Sequence, residues 1–536
     1  MFAVIPIEKS YYQWNLLPIV ILGLSIYHLW DVKGFEFLVY GIILWFIFLL
    51  QRDIIAGILI KRLALELGYG PLPVYPALDH LLGLDTLIPA VRAIRRHRLL
   101  DWFYERRLLC GKTYWGQTLG EWVIMTSDPK NIQAVLSTKF DDWKIGGPRL
   151  YATLPALGHD SIFTTNGEKW EMARRRMRPA FNRNQVADLK CFERHVRNFI
   201  EAVPGGDGVG FDVQGLLQDM TMDSSTDFLL GYSTNLLVEP SAEARQMLKD
   251  FDYVSRESSR NGRMGALLYW LPHPFLYAAV GRVRKFVGEY MDRALEESKR
   301  GGEGKERGYV FLDALLEQTQ GQNQSRDYII DQMLSILVAG RDTTATAITA
   351  AFYFLARDAE VVRRLREEIE SVGEWDPSYE QLHGMKYMKN VVREALRLFP
   401  PVATNSRISV KDTPLPSGGG PYGNLPVIVR RNTPIRYCIS VMHRDRSIYG
   451  DDADVFRPER WEVDETIQKS WIYLPFNGGP RVCLGQQFAL TQIYLTLYRF
   501  FQTFESIEHR DGGPLLAQTN LVINFPYGCK IAVNRV

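Results

Sequence analysis

Cys483 stands in FNGGPRVCLGQQF, Phe476 to Phe488, where an apolar run from Ile472 to Phe476 is stopped by Gly478, Gly479 and Pro480 and followed by a helical pattern. The two glycines permit backbone angles closed to other residues, and Gly485 lets the chain approach something flat. A thiol on a tight loop at a helix start, beside the cation Arg481, is biased toward thiolate and so toward metal ligation. Zinc takes about four protein ligands, and no other Cys or His lies at that spacing here. A haem iron needs one proximal ligand, and a thiolate there favours O–O cleavage. Read alone, Cys483 fits a buried structural cysteine equally well.

Three further groups carry chemical potential. In GEKWEMARRRMRPAF, Trp170 and Arg174 lie four apart and so share a helix face, with Arg175, Arg176 and Arg178 on neighbouring faces that read as solvated. The segment Arg326 to Arg357 is apolar almost all round except at AGRDTT, Ala339 to Thr344. An acid and hydroxyls buried there are costly unless used. Gly340 weakens a helix and Thr343 can bond back onto it, so a local opening is expected, which by itself would also explain the motif. In REALRLFPP, Glu394 and Arg397 fall at i, i+3, in isolation no more than a common helix ion pair.

The elements that must position these groups read as mostly helical. Short strands are expected at Phe103 to Leu109 and Trp122 to Thr126, a helix at Lys130 to Thr138, and terminal strands at Asn520 to Val533, which alternates in polarity. Glycine and proline from Pro414 to Pro426 mark turns between short strands. Asn15 to Trp30 and Phe35 to Leu50 are apolar runs, each somewhat short of the roughly 20 residues that cross a bilayer. Tyr12, Trp14, Trp30 and Trp45 suit an interfacial belt, and the basic residues after the second run, from Arg52 to Arg98, place the body of the chain in the cytosol. A retained anchor over residues 1–62, of one or two segments, is preferred to a cleaved signal peptide, because Glu8 precedes the first run and a second run succeeds it. Proline-fixed Pro71 to Pro76 lies in a hinge over 63–80, and 81–536 is one catalytic domain.

Composition narrows the class. The 536 residues are 46% hydrophobic and carry a net charge of +2, so no strong field argues for nucleic acid. Five scattered cysteines, Cys110, Cys191, Cys438, Cys483 and Cys529, fit a reducing compartment better than a disulfide framework. In such a compartment the N-x-S triplet at Asn323 is idle.

The spacing of Phe476, Gly479, Arg481, Cys483 and Gly485 resembles the haem-binding signature of the cytochrome P450 monooxygenases. The other groups resemble that family's motifs in the expected order. Trp170 and Arg174 match the W-x-x-x-R helix that grips a haem propionate, where a guanidinium fork suits a carboxylate. Asp342 and Thr343 match the acid and threonine that feed protons to dioxygen. Glu394, Arg397 and, in FRPERW, Arg460 match a buried charge triad, read here as structural support. Arg407 and His443 fall where the family sometimes supplies further propionate donors. The family position of Met264 to Tyr277, MGALLYWLPHPFLY, suggests a loop that dips into the membrane over the substrate entrance, although an aromatic stretch of this kind also reads as core.

The resemblance implies a mainly α fold with small β-sheets enclosing haem b (iron protoporphyrin IX). It implies a cytosol-facing domain on the endoplasmic reticulum membrane that hydroxylates a hydrophobic substrate. No nicotinamide or flavin fingerprint occurs, so electrons must come from a separate NADPH-cytochrome P450 reductase, with the surplus arginines as its docking face. AGRDTT, GGGPYG, IYGDDADVFRPERW and PFNGGPRVCLGQQFAL look most like the fungal branch that hydroxylates n-alkanes and fatty acids. Related fungal enzymes tailor secondary metabolites of polyketide or terpenoid type. A reductase-independent haem-thiolate isomerase or dehydratase would need no proton relay, and a haem carrier would leave the oxygen-handling motif unused.

Overall fold

The computed structural model describes residues 66–79 and 83–536, apart from 119–120, 183–186, 205–207, 270–272, 300–310, 320–324 and 464–469, together with isolated positions 41, 51 and 62. All but positions 41, 51 and 62 of the expected anchor, together with Asn323 and most of the 299–308 loop, lie outside the described residues. No described helix is long and apolar enough to cross a membrane. The chain divides into two units, Met1–Pro71 and Leu72–Val536. The second carries the cysteine loop and every group around it.

Among the described residues the fold is mainly helical with small sheets. Eight helices matter for the site: α1 (Leu99–Cys110), α2 (Pro148–Leu157), α3 (Gly167–Met177), α4 (Val213–Leu230), α5 (Ala242–Tyr269), α6 (Arg326–Leu355), α7 (Lys386–Leu398) and α8 (Gln486–Thr503). The principal sheet contains β1 (Thr113–Thr118), β2 (Glu121–Thr126), β3 (Trp143–Lys144), β4 (Thr404–Ser409) and β5 (Pro434–Cys438), in the order β1-β2-β5-β4-β3. Its pairs are antiparallel except β2 with β5, where Met125 faces Arg436.

Helix α6 forms the spine of the unit. Ser325 caps it by accepting from the Tyr328 amide at 3.1 Å, and its apolar residues are buried on nearly every side, as a helix through a core must be. It packs against α4, α7 and α8. The expected opening at Gly340 is not there. Helical geometry runs unbroken through AGRDTT, and the Thr343 hydroxyl donates to the Ala339 carbonyl at 2.5 Å, back along the same helix.

One expected strand is corrected. Phe103 to Leu109 is not a strand but part of α1; Arg106 is sandwiched between Tyr75 and Trp102 at 3.6 and 3.9 Å, a tertiary contact that outweighs the strand preference of the aromatics. Part of the proline segment read as a stiff hinge is paired with β1. Val74 bridges to Trp115, Tyr75 N donates to Trp115 O, Trp115 N donates to Pro73 O, and Leu72 is buried. Tyr75 N and Pro73 O thus supply the donor and the acceptor that stitch the segment to β1.

Candidate functional site

The loop Phe476–Cys483 is closed by its own backbone. The Cys483 amide donates to Phe476 O at 3.0 Å, and Val482 N donates to Gly479 O. Asn477 adopts φ 61° and reaches across to Arg481 O while accepting from Tyr437. Gly479, at φ 68°, lies so close to the turn at Ala134–Thr138 that a Cβ would stand 1.8 Å from Leu136 O. Before the loop, the Leu474 amide donates to His443 Nε2 at 2.9 Å.

The Cys483 side chain opens on an internal cavity of about 440 Å³, within the range of small-molecule sites. It is therefore reachable by a small probe although protein surrounds it. Burial pushes the thiol above its ordinary value, opposed by the Gly485 amide and by Arg174. The cation that counters burial is Arg174 and not the adjacent Arg481 of the sequence expectation. Phe476, Gly485, Trp170, Arg174, Arg481, Arg407 and Thr343 line the same cavity.

Trp170 is the platform for this end of the site. Its ring lies under the Arg481 guanidinium at 4.2 Å and near that of Arg174 at 5.9 Å. Arg481 also donates to Thr165 O and Asn166. Arg407 lies on β4, stacked toward Tyr437 and donating to Ser406 O, and Arg149 of α2 joins it by donating to Asn405. Burial, then Arg407, Arg149 and Arg174, pulls the Arg481 guanidinium well down, and burial with Arg407 does the same to Arg149. Arg174 makes no hydrogen bond to another described side chain or backbone group. Four guanidinium groups drawn together with no carboxylate on them among the described residues call for an anion, and the two propionates of haem b would satisfy that requirement beside a thiol that can ligate its iron.

Asp342 does not join this lining. It faces Arg341 at 2.9 Å, which in turn donates to the half-exposed Asp252 at 2.6 Å. Burial raises the Asp342 carboxyl against the pull of Arg341. Sequence reasoning paired Asp342 and Thr343; the helical turn sends one to the Arg341–Asp252 chain and the other to the cavity.

Glu394 and Arg397 are fully buried and bidentate at 2.8 and 2.9 Å. Arg460 and Trp461 Nε1 both donate to the same carboxylate at 3.3 and 3.0 Å. Arg397 also donates to His443 O and Ala453 O, so every strong donor has a partner. His443 is buried between Leu474 N and Arg397 O and does not line the cavity; it positions the loop instead of meeting an anion. Arg176 is buried against the Tyr328 hydroxyl, which removes it from the solvated basic face, whereas Arg175 and Arg178 stand exposed.

Arg149, Arg263 and Arg436, which also line the cavity, escaped the sequence reading. The available signal was slight: Arg149 and Arg436 are the only charged residues in PRLYATLPAL and PIRYC.

A family model described as cytochrome P450 matches residues 88–531. The chain is 37% identical over 510 residues to the cytochrome P450 monooxygenase himC of Aspergillus japonicus, covering 93% of this chain and 89% of that one. It is 38% identical over 464 residues to the cytochrome P450 monooxygenase fsdH of Fusarium heterosporum, covering 84% and 81%. With cytochrome P450 52A9 of Candida maltosa the identity is 37% over 481 residues, covering 85% and 91%.

Proposed function

Because the chain belongs to the cytochrome P450 family, we propose that it hydroxylates a hydrophobic small molecule, drawing electrons from an NADPH-cytochrome P450 reductase. Membership gives the class, a haem b monooxygenase. The observation that carries the residue roles is that Cys483, Thr343, Trp170, Arg174 and Arg481 line one cavity.

Haem b held by a thiolate supplies the reductive activation of O2 and the insertion of one of its oxygen atoms. Cys483 Sγ would bind the haem iron, with Phe476 and Gly485 on the same cavity wall. Arg174, Arg481 and Arg407 would hold the propionates, and Trp170 braces the first two guanidinium groups. Thr343 Oγ1 holds a proton at the cavity wall. Asp342, Arg341 and Asp252 form a charged chain from that part of α6 to the solvent, which suits resupply of protons. Glu394, Arg397 and Arg460 fix the segments flanking the loop. Arg175 and Arg178 offer a cationic face to an acidic reductase, and residues 1–62 anchor the chain in the endoplasmic reticulum membrane with the catalytic domain in the cytosol.

The substrate lies in the n-alkane and fatty-acid range of the branch the motifs resemble. A second reading, a tailoring oxidase acting on a fungal polyketide or terpenoid, is supported by relatives from filamentous fungi at the same identity as the Candida protein. Comparing the metabolites of a strain with and without the gene separates the two. For the site itself, Cys483→Ala should abolish the red-shifted Soret band that a thiolate-ligated haem gives with CO; an unchanged spectrum would rule out Cys483 as the residue that binds the iron.

A further inference from the structure

The cavity contains more arginine than the propionates need. β-Strand alternation sorts the surplus. On β4 and β5, Arg407 pairs with Ile435 and Ser406 pairs with Arg436, so Arg407 and Arg436 project from opposite faces of the sheet. Arg407 shares its face with Tyr437 and the Arg481 cluster. Arg436 shares the other with Met125 and Cys438, over the apolar side chains Leu99 and Phe103 of α1. One anion cannot be held from both faces at once.

Arg263 of α5 also lines the cavity, and its guanidinium senses that of Arg436. It is tethered by donating to Ser259 Oγ at 2.6 Å and to Thr519 O. The Arg436 side chain forms no hydrogen bond or ion pair with any described residue. The carboxylate on its side, Glu121, does not reach it within 4 Å and is itself raised by burial. Burial also pulls both guanidinium groups down, Arg263 to about 10. The lining that these two arginines share with Thr343 includes Leu99, Phe103, Leu521 and Val522.

The geometry points to a second anion site, in which Arg436 and Arg263 bind the carboxylate of an amphipathic substrate whose apolar chain runs along Leu99, Phe103 and Val522 toward Thr343. This rests on the monooxygenase reading and sharpens it: an n-alkane leaves both cations unused, whereas a long-chain carboxylate engages them. A desolvated guanidinium holding a carboxylate discriminates strongly against a neutral head group of similar size.

The test is a spectral binding titration of the haem-loaded full chain with a series of medium- and long-chain straight carboxylates and the matching primary alcohols. The preserved thiolate-type CO spectrum is checked first, so that failure of the haem assignment is seen separately. Carboxylates should bind more tightly than alcohols. Arg436→Gln and Arg263→Gln should each weaken the carboxylate by roughly tenfold or more and leave the alcohol within about twofold, while Arg436→Lys should retain part of the preference. Equal affinity for acid and alcohol, no shift with any carboxylate, or an equal loss for both ligands in the variants overturns the proposal.

Discussion

At the scale of single residues, position on a helix decides what a group can do. Thr343 reaches the cavity and Asp342 does not, so the two should respond differently to substitution. Thr343→Ala removes the hydroxyl that holds a proton at the cavity wall but leaves the propionate cluster intact. Product formed per NADPH should fall by on the order of tenfold to a hundredfold while haem content and its CO spectrum persist; coupled turnover in the variant would refute the role. His443 gives a different kind of prediction. Its Nε2 accepts from Leu474 N and its Nδ1 faces Arg397 O, an arrangement available only to the neutral ring. Burial and then Arg397 hold its pKa down at about 3, against about 6.5 in the unfolded chain. Between those values the unfolded state carries a proton that the folded state refuses, so stability rises with pH in this window. It is lost at about 1.4 kcal/mol per unit as pH falls below roughly 6.5. Urea midpoints at pH 7 and pH 5 should therefore differ more in the parent than in His443→Gln, and parallel shifts would show that His443 does not set the slope.

At the scale of elements, the motifs that a helix period brings together were legible, and those that only tertiary packing brings together were not. Trp170 with Arg174 and Glu394 with Arg397 could be paired on paper because three- and four-residue spacings share a face. Arg149, Arg407 and Arg481 come from α2, β4 and the cysteine loop; the family resemblance brought Arg407 and Arg481 to the haem, but no local pattern announces that Arg149 meets them. Arg436 was invisible for the complementary reason: a lone charge in a buried strand has meaning only once its face is known. Of the two glycines read as taking backbone angles closed to other residues, Gly479 does so at φ 68°, whereas Gly478 is extended at φ −149°. The sequence carried no sign of the contact that adds to it, the Leu136 carbonyl 1.8 Å from a would-be Cβ on Gly479, which leaves no room for a side chain. Gly479→Ala adds backbone strain of about 1–3 kcal/mol and a clash with main chain that cannot swing aside. The variant should lose at least about 3 kcal/mol of stability and little of it should accumulate with the thiolate CO spectrum. A denaturation midpoint equal to that of the parent would show that the loop is not pinned against Ala134–Thr138.

At the scale of the whole molecule, the question is what holds the enzyme near an apolar substrate. The runs Asn15 to Trp30 and Phe35 to Leu50, if helical, would each be roughly 24 Å long at 1.5 Å per residue, against a hydrocarbon core of about 30 Å. Thinning of the bilayer and the flanking aromatics can make up that difference at modest cost. Leu84 and Ile88 are exposed on the helix Leu84–Arg95, which also carries Arg92 and Arg95, and Phe275 and Tyr277 are exposed at the start of the helix Pro274–Lys299. Such mixed apolar and basic surfaces favour a lipid interface, but their hold weakens as salt screens it. A spanning anchor does not release in this way. The full chain should accordingly stay with microsomes through high-salt and alkaline carbonate washes, whereas a chain lacking residues 1–62 should be released by them while keeping its CO spectrum. Release of the full chain by salt alone would overturn the anchor and leave the exposed apolar and basic residues as the membrane contact.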